Sequence, residues 1–219
     1  MSTIYTEDCI SFSPLFGTTL FSKLIDPVDL HDARTHEAVA GMDVGEMNEK
    51  MGHPINFLHL ASERIHQAFE YSEMAFLPPP HIIALLRELY LHNKNCSLSD
   101  RRRFDEIPEL QQDCEYVLNI LPAFRDDIFL KHPITGTVAI HKFPYGEMPR
   151  FRLRTAHSSL VSVAAYRHTA HWSSMDCDGD PIHALGQLRQ AIIWPPLPSS
   201  TPSAKKAIRC PTAPCNGLY

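Results

Sequence analysis

GHPINFLHLASERIHQAFEY, residues 52–71, decides how the chain is read. Gly52, His53 and Pro54 mark a helix start, because proline is tolerated in a first turn. Leu58, Ala61, Ile65 and then Ala68 or Phe69 recur every three or four residues, the spacing of one helix face. The stretch therefore predicts a helix running to about Tyr71. Toward the C-terminus, Pro78, Pro79 and Pro80 break the chain. A second helix follows, with Ile82, Leu85, Leu86, Leu89 and Tyr90 on one face and Asn93 and Asn95 at its end. Ser97 or Ser99 can cap a short turn through Arg101, Arg102 and Arg103. Pro108 predicts a third helix with the stripe Leu110, Cys114, Val117 and Leu118, stopped by Pro122. Three helices with short connections predict a bundle-like core.

The texture changes near Lys131. Residues 137–143 read as a strand after a Thr135-Gly136 turn, and 144–149 supply turn residues. Arg150, Phe151, Arg152, Leu153 and Arg154 alternate, which puts three guanidiniums on one sheet face and two apolar groups on the other. The two strands predict a basic hairpin. Residues 158–167 fit helix or strand equally. A last helix is expected from Pro181 to about Trp194, with Ile182, Leu185, Leu188 and Ile192 inward. Residues 1–52 show no clean period and read as an extended arm with at most one short helix. From Pro195 the chain is rich in proline and serine and carries Lys205, Lys206 and Arg209, a tail without its own core. The expected fold class is α+β, mainly helical: a core of about three helices, a basic β-hairpin and one C-terminal helix in a domain spanning 53–194. An N-terminal arm (1–52) and a Pro-rich tail (195–219) flank it.

Bulk properties bound the function. With 219 residues, 44% hydrophobic and 21% charged, the chain matches an ordinary globular protein and excludes disorder, collagen and coiled coil for the whole. No apolar run is long enough for a membrane-spanning helix, so no membrane insertion is expected. The net charge of −5 hides an asymmetry: 21 acids and 10 bases up to Asp127, then 4 acids and 10 bases. A basic back half can meet an acidic protein face or, secondarily, nucleic acid. Six cysteines (Cys9, Cys96, Cys114, Cys177, Cys210, Cys215) follow an N-terminus with no base before Lys23, which does not read as a signal or transit peptide. Thiols in a reducing, cytoplasmic setting are expected.

Catalytic signatures are sparse. Asp176, Asp178 and Asp180 alternate in Met175-Asp176-Cys177-Asp178-Gly179-Asp180 and could converge on a hard divalent cation, the one cofactor the chain suggests. The string resembles the opening of an EF-hand loop, which implies calcium. Pro181 stands where that loop has glycine, and Gln187 where it has its bidentate glutamate. It also resembles the Asp-x-Asp-Gly-Asp signature of multisubunit and RNA-silencing RNA polymerases. That resemblance implies catalytic magnesium in paired barrels, for which this chain is too short. The structural alternative is a helix N-terminus, with Asp180 as cap and Pro181 in the first turn. His168, His171, Cys177 and His183 lie close together, but no Cys-x-x-Cys pair accompanies them as zinc sites require. His36-Glu37 has Ala40 where a zincin has its second histidine, and His31-Asp32 lacks the earlier histidine of an HD phosphohydrolase.

Arg150, Arg152 and Arg154 form the leading surface candidate, with Lys205, Lys206 and Arg209 as a second basic group. Arginines two apart on a strand suit successive phosphates or a row of carboxylates. The functional expectation is a non-catalytic structural component of a cytoplasmic or cytoskeletal assembly that docks on acidic partner proteins. The alternatives are a divalent-metal enzyme using the aspartate cluster and an RNA-associated assembly protein.

Overall fold

The computed structural model describes residues 3–16, 20–22, 30–71, 73–111, 114–146, 148–170 and 180–193. Among them are nine short strands: β1 (Tyr5–Thr6), β2 (Ile10–Ser11), β3 (Leu20–Ser22), β4 (Leu58–Leu60), β5 (Met74–Leu77), β6 (Tyr116–Ile120), β7 (Ile128–Lys131), β8 (Val138–His141) and β9 (Arg150–Arg152). Six α-helices join them: α1 (Leu30–Ala40), α2 (Glu46–Gly52), α3 (Glu63–Glu70), α4 (Pro80–Asn95), α5 (Ser158–Ala170) and α6 (Asp180–Ile193). The strands form a four-stranded sheet in the order β1-β9-β6-β5, a three-stranded sheet β2-β7-β8 and a pair β3-β4. The mainly helical reading with three core helices is thereby corrected to a mixed α+β architecture.

The four-stranded sheet is buried on both faces, which removes the simple alternation a half-buried strand would show. Along β5, Met74 and Phe76 enter one core with Leu118 and Phe151. Ala75 and Leu77 enter a second core with Ile82, Leu86 and Tyr90 of α4 and Leu185 and Leu188 of α6. Helices α1, α4, α5 and α6 pack on one another around this second core.

Three expected elements fail. The helix expected through 52–71 is a 3-10 turn (Pro54–Asn56), the strand β4 and the helix α3. Leu58 and Leu60 are buried either side of a half-exposed His59, a period of two that the helical spacing obscured. Ser62 then starts α3 afresh, its Oγ accepting from Ile65 N. The helix expected after Pro108 is one 3-10 turn (Pro108–Leu110) and the strand β6, whose Val117 and Leu118 serve opposite cores. The N-terminal arm is also overturned. Tyr5 and Thr6 pair in parallel with Phe151 and Arg152, and Ile10 and Ser11 pair with Leu130 and Phe129. These short apolar pieces find partners more than a hundred residues away, and no local pattern announces that.

The expected hairpin of 137–143 with 150–154 does not form. Strand β8 pairs with the preceding β7, whereas β9 lies between β1 and β6. The alternation itself holds: Phe151 and Leu153 are buried while Arg150 and Arg154 are exposed. The second helix matches α4, with Ile82, Leu86, Leu89 and Tyr90 inward, and the last matches α6, with Leu185, Leu188 and Ile192 inward. The ambiguous 158–167 stretch is α5. The tail expected from Pro195 lies outside the described residues.

Asn93, buried on α4, ties the helical layer together. Its Nδ2 donates to Val39 O and Arg102 O, each at 2.8 Å, and its Oδ1 accepts from Arg102 N at 2.8 Å. Asn93→Ala leaves one buried and two part-buried backbone groups without this partner, and a loss of about 2–3 kcal/mol is expected. Urea denaturation at pH 7 measures it; a change below about 0.5 kcal/mol would contradict this account.

Candidate interaction surface on the β7–β8 hairpin

The arginine stripe is partly spent within the chain. Arg154 Nη2 lies 2.6 Å from Asp8 Oδ2, and Arg152 Nη2 lies 3.9 Å from Glu115 Oε1. Arg150 faces solvent. The Arg154–Asp8 pair borders an open cleft of about 410 Å³ lined by Thr6, Cys9, Lys131 and His132 among others. Lys205, Lys206 and Arg209 lie outside the described residues.

Buried titratable groups in this region serve the fold. Glu7 is fully buried, and its carboxyl accepts from Arg154 N at 3.2 and 3.3 Å and from His59 N at 3.4 Å. It thus joins the N-terminal segment to β4 and to the chain leaving β9. Burial pushes its titration up to about 7, and Asp8 adds to the rise. The backbone N–H groups of Glu7, Arg154 and His59 oppose it. His157 precedes α5, and its Nδ1 accepts from Ser159 N at 3.2 Å and lies 2.7 Å from Ser159 Oγ. A backbone N–H only donates, so the ring proton sits on Nε2. Burial lowers His157 to about 4, the charge of Lys50 adds to the fall, and Asp105 opposes it. The ring meets Phe104 edge-on at 5.0 Å. His36 and Glu37 are buried, and Glu37 Oε1 accepts from Gly45 N at 2.9 Å and Met47 N at 3.1 Å, capping the start of α2.

Arg103 organises a second charged cluster. It makes paired bonds to Glu46 and to Asp105, which hold both carboxyls below the usual range. Lys50 stands 3.3 Å from Glu46 and 3.7 Å from Asp105. These partners satisfy one another, so the cluster braces the loop after α4 against α2.

Asp176 and Asp178 lie outside the described residues, as do His171 and Cys177, and only the backbone of Asp180, the first residue of α6, is described. Among the described residues, no three His, Cys, Asp or Glu side chains are placed to share a metal ion, and no helix is long and apolar enough to cross a membrane.

The hairpin differs from all of these in its surface. Among the described residues, strand β8 is the outer strand of its sheet, with β7 on one side and no strand on the other. The register places Leu130 opposite Ala139 and Ile128 opposite His141, so those residues share the inner face. Phe129 opposite Ile140 and Lys131 opposite Val138 form the outer face. Val138 is 40% exposed and Ile140 54%, with Ile134 and Phe143 exposed nearby. Arg125 stacks 3.5 Å from the Phe143 ring centre, and Lys131 lies 5.6 Å from that of Phe16. From Ile128 to Gly146 the sequence contains two lysines and no acid. Sequence reasoning placed this strand but aimed at the arginines beyond it. The missed signal was Val138-Ala139-Ile140 followed by His141-Lys142, although Lys142 Nζ lies 3.9 Å from Asp127 Oδ2. No protein-family model, curated protein or solved structure matches the chain.

Proposed function

We propose that this protein is a non-catalytic component of a macromolecular assembly, cytoplasmic or cytoskeletal, that docks on acidic partner proteins through its basic C-terminal half. One observation carries the reading: the β7–β8 hairpin presents exposed apolar side chains in a stretch with lysines and no acid. An exposed apolar patch beside cations is a recognised form of protein-binding surface. The arginine stripe supports it less, because Asp8 and Glu115 already engage two of its three members.

Affinity capture from lysate with the immobilised full chain tests the reading. Lys131→Glu with Lys142→Glu reverses the charge of the hairpin. The expected result is a stoichiometric acidic partner, depleted at least tenfold by the double variant and by raised salt. A version ending at Trp194 reports what Lys205, Lys206 and Arg209 add. Equal recovery by the unmodified chain and the double variant would remove this surface from the function.

A further inference from the structure

We infer that the cleft beside the Arg154–Asp8 pair binds a small organic monocarboxylate, with Lys131 and Arg154 as the groups that hold its carboxylate. The inference goes beyond the docking reading and does not rest on it.

Arg154 is fixed at both its backbone and its side chain. Its backbone N–H donates to the buried carboxyl of Glu7 at 3.2 and 3.3 Å, and its Nη2 donates to Asp8 Oδ2 at 2.6 Å. Asp8 is itself held, because Thr6 Oγ1 donates to its Oδ1 at 2.6 Å. An aspartate that engages one guanidinium nitrogen leaves Nε and Nη1 to donate elsewhere. A guanidinium already held in this way loses little rotamer freedom when it binds a second carboxylate.

The cleft has a second cation. Lys131, the last residue of β7, lines it, and its Nζ lies 5.6 Å from the ring centre of Phe16, which lines it too. Among the described residues no acid forms an ion pair with Lys131. His132 is neutral here: its Nδ1 accepts from Ile134 N and Thr135 N, both at 3.2 Å, so the ring proton sits on Nε2, 3.3 Å from Thr3 Oγ1. Glu7 is not part of the lining, and its carboxyl faces the backbone N–H groups of Arg154 and His59. Lys131 and Arg154 against Asp8 therefore leave the lining with one positive charge in excess, which one carboxylate matches. A phosphate monoester carries close to two charges at pH 7 and exceeds that surplus. Phe16, Ala61, Pro133 and Ile134 add apolar surface. Ile134 is 84% exposed, so a hydrocarbon body beside it gains by burial. The volume of about 410 Å³ lies within the range of small-molecule sites, about 300–1,000 Å³.

The test titrates the full chain, labelled with nitrogen-15, with benzoate and in parallel with neutral benzamide of the same shape. The amide signals of Thr6, Cys9, Thr135 and Gly136 are the readout. Benzoate is expected to bind in the low millimolar range, as its few atoms allow, and benzamide at least fivefold more weakly. Lys131→Gln and Arg154→Gln are each expected to weaken benzoate at least threefold and to leave benzamide unchanged. Lys131 is exposed, so Lys131→Gln and the comparison of the two ligands decide the matter should Arg154→Gln unfold. Equal binding of benzoate and benzamide, or unmoved signals at these four residues in 20 mM benzoate, would overturn the inference. Phenyl phosphate binding more tightly than benzoate would overturn it as well.

Discussion

Gly41→Ala is expected to destabilise the protein by on the order of 4 kcal/mol, enough to abolish the fold of a marginally stable chain. Gly41 follows the last residue of α1 with φ at +69°, and Met42 N closes the helix end by donating to Glu37 O at 2.8 Å. The left-handed conformation alone costs an alanine about 1–2 kcal/mol. The larger share is steric. A methyl group there would meet the carbonyl of Arg102, with its carbon only 2.9 Å away. That carbonyl cannot withdraw freely, because it accepts from Asn93 Nδ2. Gly45 is the internal control. Its φ is +91° but a methyl there meets nothing within 4 Å, so Gly45→Ala should show only the conformational cost. Urea midpoints of the two variants separate the effects, and equal losses would show that the contact with Arg102 is unimportant.

The second large effect is a pair of opposed pH dependences that hide each other. Folded Glu7 titrates at about 7 against 4.5, so between those values the folded chain keeps a proton the unfolded chain has released. Stability from this group falls as pH rises through the interval, by about 3 kcal/mol in total. Folded His157 titrates at about 4 against 6.5, so here the unfolded chain holds the extra proton. Stability from His157 rises with pH over its interval by a similar amount, about 3 kcal/mol. From pH 4.5 to 6.5 the two cancel, and the protein should show a nearly flat profile from these groups. Glu7→Gln should expose the histidine: stability climbing to pH 6.5 at up to about 1.4 kcal/mol per unit, then level. His157→Asn keeps a capping oxygen for Ser159 N and should expose the carboxyl, with stability falling from pH 4.5 to 7. Urea denaturation at pH 4.5, 5.5, 6.5 and 7.5 reads both slopes. Parallel profiles for the unmodified chain and both variants would show that neither group titrates as its burial implies.

These two effects depend on features of different legibility. A glycine after a helix is a sequence signal, and α1 ends there, but nothing local says that residue 102 returns to press on it. Glu7 looked like an ordinary acid in an unpatterned arm. Its burial follows from β1 pairing with β9 and β2 pairing with β7, contacts that join the first residues to positions beyond 128. The candidate surface divides the same way. The strand near 137–143 and its turn at Gly136 were readable from residue type. Which strand β8 joins, and therefore which of its edges is open, was not.

By itself the sequence determined α4 and α6, because their apolar residues repeat on one face over three turns or more and their breaks are prolines and polar ends. It also determined the alternation around Phe151 and the charge asymmetry. Tertiary structure alone decided that 58–60 and 116–120 are strands. The apolar residues of 116–120 are buried on both sides of a sheet, where periodicity no longer distinguishes strand from helix, and Leu58 and Leu60 alone are too few to show a period of two. It also decided that Glu7, Cys9, Ile10 and Ser11 are buried and that two of the three stripe arginines lie against acids. Short strands gain their stability from partners distant in sequence, and a local pattern contains no record of those partners.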